Sequence, residues 1–140
     1  MSLEAFVLDC SATLPWLFAS EATAATDHLL GALTAGAKAW VPTLWHLELA
    51  NVLLSAQRRG RVDKAGIARF FSALAVYDIV VDSETVEVAW TKTFSLGEAF
   101  GLTIYDAAYL ELALRRGLPL ATLDEQLRAA MHRAGGQVLL

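Results

Sequence analysis

The stretch GLTIYDAAYLELALRRGLPLATLD, residues 101–124, decides the fold of this chain. Thr103 is a favourable N-cap for a helix, and Gly117 is the kind of residue that ends one. The apolar segment PLAT then predicts a short strand, and Asp124 follows at its carboxyl end. Asp106 lies in the first turn of the predicted helix. The carboxylates of Asp106 and Asp124 can therefore meet at one edge of a parallel sheet.

Strands and helices alternate along the rest of the chain. Apolar runs predict strands at residues 4–8, 37–42, 77–81, 119–122 and 137–140. Helices are predicted at residues 11–19, 20–36, 44–60, 63–75, 84–100, 104–116 and 125–134. The N-caps expected from residue type are Ser11, Ser20, Thr43, Asp63, Ser83, Thr103 and Asp124, and Gly97 is expected to disturb its helix. Such alternation gives right-handed βαβ units, and hence an α/β fold with a parallel sheet covered by helices on both faces.

The composition is that of a compact folded domain. With 140 residues, of which 56% are hydrophobic and 19% charged, the chain can bury a sizeable core, and a disordered tail is excluded. We expect a cytoplasmic protein, because no apolar run is long enough for a transmembrane helix and Glu4 stands where a signal peptide needs positive charge. The net charge of −4 argues against a general nucleic-acid coat protein. The single cysteine, Cys10, leaves no internal disulfide.

Four acidic residues are predicted at the carboxyl edge of this sheet, where α/β folds usually bind their ligands. Asp9 ends the first strand, and Glu48 lies in a helix whose apolar residues wrap so widely that it should be mostly covered. Asp106 and Asp124 complete the set. Each acid has an ordinary alternative: a turn residue for Asp9, an exposed position for Glu48, and helix capping for the other two.

Four converging carboxylates would need a cation. Two carboxylates about 5 Å apart repel by roughly 3 kcal/mol at an effective dielectric of about 20, so such a pocket either binds protons or holds positive charge. Hard oxygen donors suit Mg²⁺ or Mn²⁺. Zinc is not expected, because no ligand spacing relates Cys10 to the three histidines, which are His28, His46 and His132.

Three segments carry a resemblance to a known family: VLDCSATLPWLFASE at residues 7–21, VPTLWHLELANVLL at 41–54 and LTIYDAAYLELALRRGLPLATLD at 102–124. Together they resemble the PIN-domain ribonucleases, specifically the VapC toxins of type II toxin–antitoxin systems. The resemblance covers essentially the whole chain. It implies one PIN domain over residues 1–140, folded as a compact three-layer α/β/α sandwich with a central, mostly parallel sheet.

The resemblance also implies the composition of the active site. Asp9 and Asp106 would be the most direct ligands of a Mg²⁺ or Mn²⁺ ion, and Glu48 and Asp124 would complete the site, directly or through water. The polar residues expected to support these ligands are Ser11, Asn51 and Thr122. Homodimerisation, an RNA substrate and a VapB-type antitoxin are implied as well, with the C-terminal segment of the antitoxin in the active-site groove.

Basic and aromatic residues near these segments offer contacts for RNA. The densest basic cluster follows the Glu48 helix and can grip a phosphate backbone, although a solvated helix end is the stronger alternative. The members of this basic cluster are Arg58, Arg59, Arg61 and Lys64. For Arg115 and Arg116, a solvated helix end is the expected role. Trp16 is the tryptophan expected to stack on a base.

Two functions remain open from the sequence. The first is a Mg²⁺- or Mn²⁺-dependent endoribonuclease that acts as a growth-arrest toxin. The second is a non-cleaving module of the same fold that binds RNA or a partner protein. The complete set of acids favours the first function. Clustered carboxylates repel one another, and a non-cleaving relative would gain nothing from keeping them together. Neither a G-x-x-x-x-G-K-[ST] loop for nucleotide triphosphates nor a G-x-S-x-G motif is present.

Overall fold

A single five-stranded sheet forms the centre of the protein, whose computed structural model describes residues 2–140. The strands lie in the order β3-β2-β1-β4-β5, and every neighbouring pair is parallel. Their bounds are β1 (Ala5–Leu8), β2 (Lys38–Val41), β3 (Asp78–Val81), β4 (Leu120–Ala121) and β5 (Val138–Leu139). The parallel sheet predicted from the alternation of elements is therefore confirmed.

Helices connect the strands throughout. Their bounds are α1 (Cys10–Thr13), α2 (Ala24–Thr34), α3 (Trp45–Arg58), α4 (Lys64–Leu74), α5 (Thr85–Val88), α6 (Phe94–Phe100), α7 (Ile104–Arg116) and α8 (Glu125–Arg133). Two 3₁₀ turns, Leu14–Trp16 and Ala19–Glu21, follow α1, and one wide π-helical turn, Ala89–Thr93, joins α5 to α6. Within residues 2–140, every helix is too short or too polar to span a bilayer.

Both faces of the sheet are covered. Phe6, Val7 and Leu8 are consecutive in β1, and all three are fully buried. Because successive side chains of a strand point to opposite faces, helices must pack on both sides of β1. The helix α7 contacts β1 and β4 and is buried without interruption over residues 107–113. The α/β/α architecture is therefore confirmed, and α7 is its most enclosed helix.

Three of the predicted helix caps are confirmed. The side chain of Asp63 accepts a hydrogen bond of 2.7 Å from the Gly66 N–H and begins α4. The Thr103 hydroxyl accepts the Asp106 N–H at 3.1 Å, which begins α7. Asp124 caps α8 in the same way, from the N–H three residues ahead. Each cap is satisfied within four residues, which is why residue type alone predicts it.

The predictions for the first two helices are wrong in their boundaries. The Ser11 hydroxyl donates to Asp9 instead of capping a helix, and α1 ends at Thr13, well before residue 19. Ser20 lies in a 3₁₀ turn, and α2 begins only after Thr23, whose hydroxyl accepts a backbone hydrogen bond and forms a capping box. A tertiary contact of Ser11 and a better local cap at Thr23 thus overrode the predictions.

The predictions for Thr43, Ser83 and Gly97 are also wrong. Leu44 and Glu84 occupy the N-cap positions of α3 and α5, and neither helix has a side-chain cap. Gly97 continues α6 without a break, and the irregular turn lies earlier, at Ala89–Thr93. A Cβ at Gly97 would stand only 3.3 Å from the Leu102 carbonyl oxygen, so this glycine permits close packing.

The helix α3 is less enclosed than predicted. Trp45, Leu49 and Leu53 face the core, but Leu47 and Leu54 are exposed to solvent. The apolar residues of α3 therefore form a buried stripe plus an exposed set, and Glu48 lies half-buried between the two.

Arg115 and Arg116 are not a solvated helix end, so that expectation is wrong. Asp82 directly follows β3, is fully buried, and accepts hydrogen bonds from Arg115 at 2.7 Å and from Arg116 at 3.0 Å. Arg115 also donates to buried Glu111 at 2.8 Å, and the Arg116 guanidinium lies 3.6 Å from the centre of the Trp40 ring. Burial opposes ionisation of Asp82, but the hydrogen bonds that it accepts hold its pKa below the ordinary value.

Candidate metal centre

The pairing of β1 with β4 sets the position of Asp9. Leu8 lies opposite Ala121, and the Asp9 N–H continues the ladder with a bond of 3.0 Å to the Ala121 carbonyl. Asp9 is therefore fixed at the carboxyl end of β1, beside the end of β4 where Thr122 follows. This is the edge of a parallel sheet where ligands gather.

Two hydroxyl groups hold the Asp9 carboxylate. Ser11 donates to Oδ2 at 2.6 Å, and Thr122 donates to the same oxygen at 2.8 Å. Asp9 and Thr122 are both buried, so these bonds replace most of the water that an exposed carboxylate would have. The residues expected to support the acids from the side, Ser11 and Thr122, therefore lie in direct contact with Asp9.

The same hydroxyl groups connect Asp9 to the loop that carries Asp124. The Leu123 N–H donates to the Ser11 hydroxyl at 2.9 Å, and the Asp124 N–H donates to the Thr122 hydroxyl at 3.1 Å. One oxygen of Asp124 caps α8, while Oδ2 accepts no hydrogen bond within residues 2–140. Asp124 thus serves as a helix cap and still presents a carboxylate oxygen at the surface.

Glu48 reaches this region from α3. Its Oε1 accepts a hydrogen bond of 2.5 Å from the Tyr109 hydroxyl, which lies on α7. Tyr109 is completely buried, whereas Glu48 is half-buried. Sequence reasoning did not identify Tyr109, although it is three residues beyond Asp106 and so shares a helix face with it.

Asp106 lies in the first turn of α7 and is half-buried. Its backbone N–H donates to the Thr103 hydroxyl, so Thr103 is the cap, and the Asp106 side chain does not complete a capping box. Burial raises the pKa of the Asp106 carboxyl, and the negative charges of Asp124 and Asp9 raise it further. The Asp106 carboxylate is therefore not used by the helix cap and remains available to the acidic cluster.

Negative charge is concentrated at this edge of the sheet. Burial raises the pKa of Asp9, and the charge of Asp124 raises it further, while the bonds from Ser11 and Thr122 act in the opposite direction. Burial likewise raises the pKa of Glu48, to which the charges of Asp9 and Asp106 contribute. Each of these acids is harder to ionise because the others are near, and a cation in the pocket would relieve this repulsion.

Two further predicted residues, Asn51 and Trp16, form no hydrogen bond to the four acids within residues 2–140. Asn51 is exposed on α3, one turn beyond Glu48, and hydrogen-bonds to none of the four acids. Trp16 is half-buried, and its indole N–H donates to the Thr26 carbonyl at 2.9 Å, so its polar edge is held by the fold. Base stacking by Trp16 stays a prediction.

The basic cluster, Arg58, Arg59, Arg61 and Lys64, is exposed around the end of α3 and the start of α4. Arg61 forms a salt bridge of 2.9 Å with Glu21 and stacks over the Phe18 ring at 4.1 Å. Within residues 2–140, the other three members form no salt bridge. Their charges therefore remain available to an anion.

The fit of a metal ion is one of donor chemistry and charge. The four acids supply carboxylate oxygens, and the raised pKa values of three of them mark a pocket where positive charge is favourable. The ligand set is not closed, because within residues 2–140 no three acidic, histidine or cysteine side chains are grouped closely enough to hold one ion. Occupancy would therefore require side-chain adjustment.

Known proteins share both the sequence pattern and the fold. The family model described as PIN domain matches residues 6–132. A curated relative, Ribonuclease VapC3 from Pyrobaculum aerophilum, is 40% identical over 87 residues. This match covers 57% of the chain but only 61% of the relative, so the chain spans less than two thirds of that relative's length.

Three solved structures resemble the fold. PAE2754 from Pyrobaculum aerophilum has a TM-score of 0.67 and 27% identity, covering 93% of this chain and 86% of that one. A toxin–antitoxin complex from Klebsiella pneumoniae has a TM-score of 0.57 and 17% identity, covering 85% of this chain and 86% of that one. FitAcB from Neisseria gonorrhoeae has a TM-score of 0.55 and 17% identity, covering 96% of both chains. At 17% identity, the last two are similar in fold alone.

Proposed function

This chain belongs to the PIN domain family, as its sequence predicts, and from that premise we propose that it is a metal-dependent endoribonuclease of the VapC toxin type. The observation that carries the proposal is the gathering of four acids at one edge of the sheet: burial raises the pKa of Asp9, Glu48 and Asp106, and the charge of at least one other acid of the four adds to each increase. The name of the curated relative, Ribonuclease VapC3, supports the same activity.

The proposed cofactor is Mg²⁺ or Mn²⁺. Asp9 and Asp106 would be its most direct ligands, and Glu48 and Asp124 would complete the set, directly or through water. When bound, such an ion polarises a phosphodiester and lowers the pKa of a water molecule for in-line attack.

The chain's own part is to hold the carboxylates. Ser11 and Thr122 hold Oδ2 of Asp9 by hydrogen bonds, so the Asp9 carboxylate is oriented before any substrate binds. The Leu127 N–H at the start of α8 donates to Oδ1 of Asp124 and so holds this second carboxylate in place. Prepared ligands of this kind reduce the reorganisation needed when a charged substrate enters.

The proposed substrate is RNA, bound through its backbone. Arg58, Arg59 and Lys64 are exposed and unpaired within residues 2–140, and phosphate contacts of this kind position a strand without reading its sequence. Their partial neutralisation of phosphates should make binding weaken as salt rises. Arg61 contributes less, because Glu21 already pairs with it.

We further propose a protein partner, a VapB-type antitoxin whose C-terminal segment occupies the groove lined by the acids. The similarly folded Klebsiella pneumoniae structure is a toxin–antitoxin complex, which supports this class of partner. A cytoplasmic location agrees with an RNA substrate.

A homodimer is the proposed assembly, and one exposed surface supports it. Trp90 is 93% exposed and lies between two hollows, one shared with Phe94 and the other with Tyr105. These three aromatic side chains alone expose on the order of 400 Å², about half of what one partner buries in a standard interface. An exposed aromatic ring that borders two hollows on one surface suits a two-fold contact between identical chains.

The alternative is a non-cleaving module of the same fold that binds RNA or a partner protein. It is favoured by one specific observation, the absence within residues 2–140 of a closed set of three metal ligands. The two functions predict different results: a nuclease cleaves RNA when the metal ion is present, whereas the non-cleaving module leaves the RNA intact.

The deciding experiment incubates the purified chain with structured RNA, with and without Mn²⁺. We expect cleavage that requires Mn²⁺ and that Asp9→Asn or Asp106→Asn abolishes. The control variant is Asp27→Asn, which removes an exposed negative charge on α2. This variant should cleave RNA as the wild type does. Retained RNA binding without cleavage would support the alternative, and unchanged cleavage in the site variants would contradict the proposed centre.

A further inference from the structure

Tyr109 is a completely buried tyrosine whose hydroxyl meets a charged group. It lies on α7, three residues after Asp106, and donates to Oε1 of Glu48 at 2.5 Å. The bond joins α7 to α3 across 61 residues of chain. A tyrosine ring has only two side-chain torsions, so burial fixes the position of its hydroxyl group.

The Tyr109 hydroxyl lies where three elements of the centre meet. The Cys10 Sγ is 3.9 Å from it, and Cys10 directly follows Asp9 in the chain. The Cys10 thiol in turn donates to the carbonyl of Trp45, the first residue of α3, at 3.5 Å. The hydroxyl group is therefore enclosed by α1, α3 and α7, and each of these helices contains or adjoins one of the acids.

Glu48 needs such a contact to stay at the centre. Its side chain is half-buried close to the like charges of Asp9 and Asp106, which favour rotation of a free carboxylate towards solvent. A bond from an immobile donor fixes one oxygen. It leaves Oε2, which accepts no hydrogen bond within residues 2–140, free for a ligand.

We propose that Tyr109 is a positioning residue that holds Glu48 in place for a divalent metal ion. The inference rests on the proposed metal centre and deepens it by assigning a residue that acts through Glu48. Groups that orient metal ligands by hydrogen bonds raise metal affinity by reducing the cost of ordering those ligands.

The test measures Mn²⁺ affinity without RNA, by electron paramagnetic resonance of free Mn²⁺, in the wild type and in Tyr109→Phe. We expect the substitution to weaken Mn²⁺ binding about 10-fold. Tyr77→Phe is the matched control, because it removes the hydroxyl of a half-buried tyrosine that lies just before β3 and outside the metal centre, and it should leave the affinity within about 2-fold. Wild-type affinity in Tyr109→Phe would overturn the proposal.

A second pair of variants separates positioning from a general effect on the fold. In a Glu48→Ala background, Tyr109→Phe should cause no further loss of Mn²⁺ affinity, because the residue through which it acts is gone. The same 10-fold loss in that background would overturn the proposal and assign the effect to packing.

A measurement without metal tests the hydrogen bond between Tyr109 and Glu48 separately from the proposed nuclease function. In the nuclear magnetic resonance spectrum of the apo protein, a slowly exchanging Tyr109 hydroxyl proton should be visible and should disappear in Glu48→Ala. Its absence from the wild type would overturn the hydrogen bond itself. If the proton is present but the wild type binds no Mn²⁺, the metal centre fails and the metal role of Tyr109 is overturned with it.

Discussion

Thr122 donates a hydrogen bond of 2.8 Å to Oδ2 of Asp9, although 113 residues of chain separate the two. The bond is possible because β1 and β4 are neighbours in the sheet and both end at this edge. Ser11 donates to the same oxygen, so a buried carboxylate accepts hydrogen bonds from two hydroxyl groups before any ligand arrives. The centre is therefore partly organised by the fold itself.

Thr122→Val should destabilise the protein. The substitution keeps the shape of the side chain but removes a donor to the buried Asp9 carboxylate and the acceptor of the Asp124 N–H, which should cost about 1–3 kcal/mol in the free energy of unfolding at neutral pH. Urea denaturation measures this loss. Thr34→Val is the control, because the Thr34 hydroxyl is exposed and bonds only within its own helix. Equal losses in the two variants would contradict a special role for the bond to Asp9.

Asp106→Asn should stabilise the metal-free protein at neutral pH. Burial and neighbouring charges raise the pKa values of Asp9, Glu48 and Asp106, so the folded protein holds these protons more tightly than the unfolded chain. Their stabilising effect is complete below the ordinary carboxyl pKa of about 4 and is lost as pH rises through the raised values. Removing one charge should recover about 1 kcal/mol, or roughly 3 °C in melting temperature.

Varying the pH provides the control for this prediction, because protonation of the acids removes the repulsion that Asp106→Asn is expected to relieve. Melting temperatures measured in a chelator should differ between Asp106→Asn and the wild type at pH 7, and the difference should shrink as the acids become protonated. A variant that melts below the wild type at pH 7 would contradict the account of charge crowding.

Arg115→Met should be strongly destabilising. It leaves Glu111, whose side chain is 4% exposed, without its guanidinium partner, and it removes one of the two arginines that pair with Asp82. Leaving a buried charge unpaired should cost about 3–5 kcal/mol in urea denaturation. Arg61→Met is the matched control, because its pair with Glu21 is 44% and 41% exposed and should contribute about 1 kcal/mol or less. Similar losses in the two variants would contradict the importance of burial.

Trp90→Lys should convert a dimer into a monomer. Sedimentation of the wild type should give twice the mass of one chain, and a charge placed at the exposed ring should prevent the contact. Val76→Lys makes a comparable change at another exposed apolar residue and should remain dimeric. A monomeric wild type, or a Trp90→Lys variant that stays dimeric, would contradict the proposed surface.

Local signals in the sequence predicted the parts of the fold that depend on few residues. Thr103 and Asp124 cap their helices as expected, since a cap is completed within the next turn. Gly117 ends α7 in the left-handed conformation that favours glycine. The alternation of strands and helices was enough to predict the parallel sheet, because the connecting helices force it.

Tertiary contacts explain what the sequence could not reveal. Ser11 looked like a cap, but its hydroxyl is used by Asp9 and by the N–H of Leu123. Arg115 looked like a solvated helix end, because the buried partner, Asp82, comes from a strand end 33 residues away. Asp9, Asp106 and Asp124 were predicted from their positions at strand and helix ends and Glu48 from its place in an apolar helix, whereas Tyr109 resembled an ordinary core residue.

Soaking crystals of the wild type in Mn²⁺ would show whether the four acids bind an ion. We expect an anomalous difference peak at the carboxyl edge of the sheet, within about 2.5 Å of carboxylate oxygens from Asp9 and Asp106. The same soak of Asp106→Asn should give a much weaker peak. No peak in the wild type, or Mn²⁺ bound only away from these acids, would contradict the proposed metal centre.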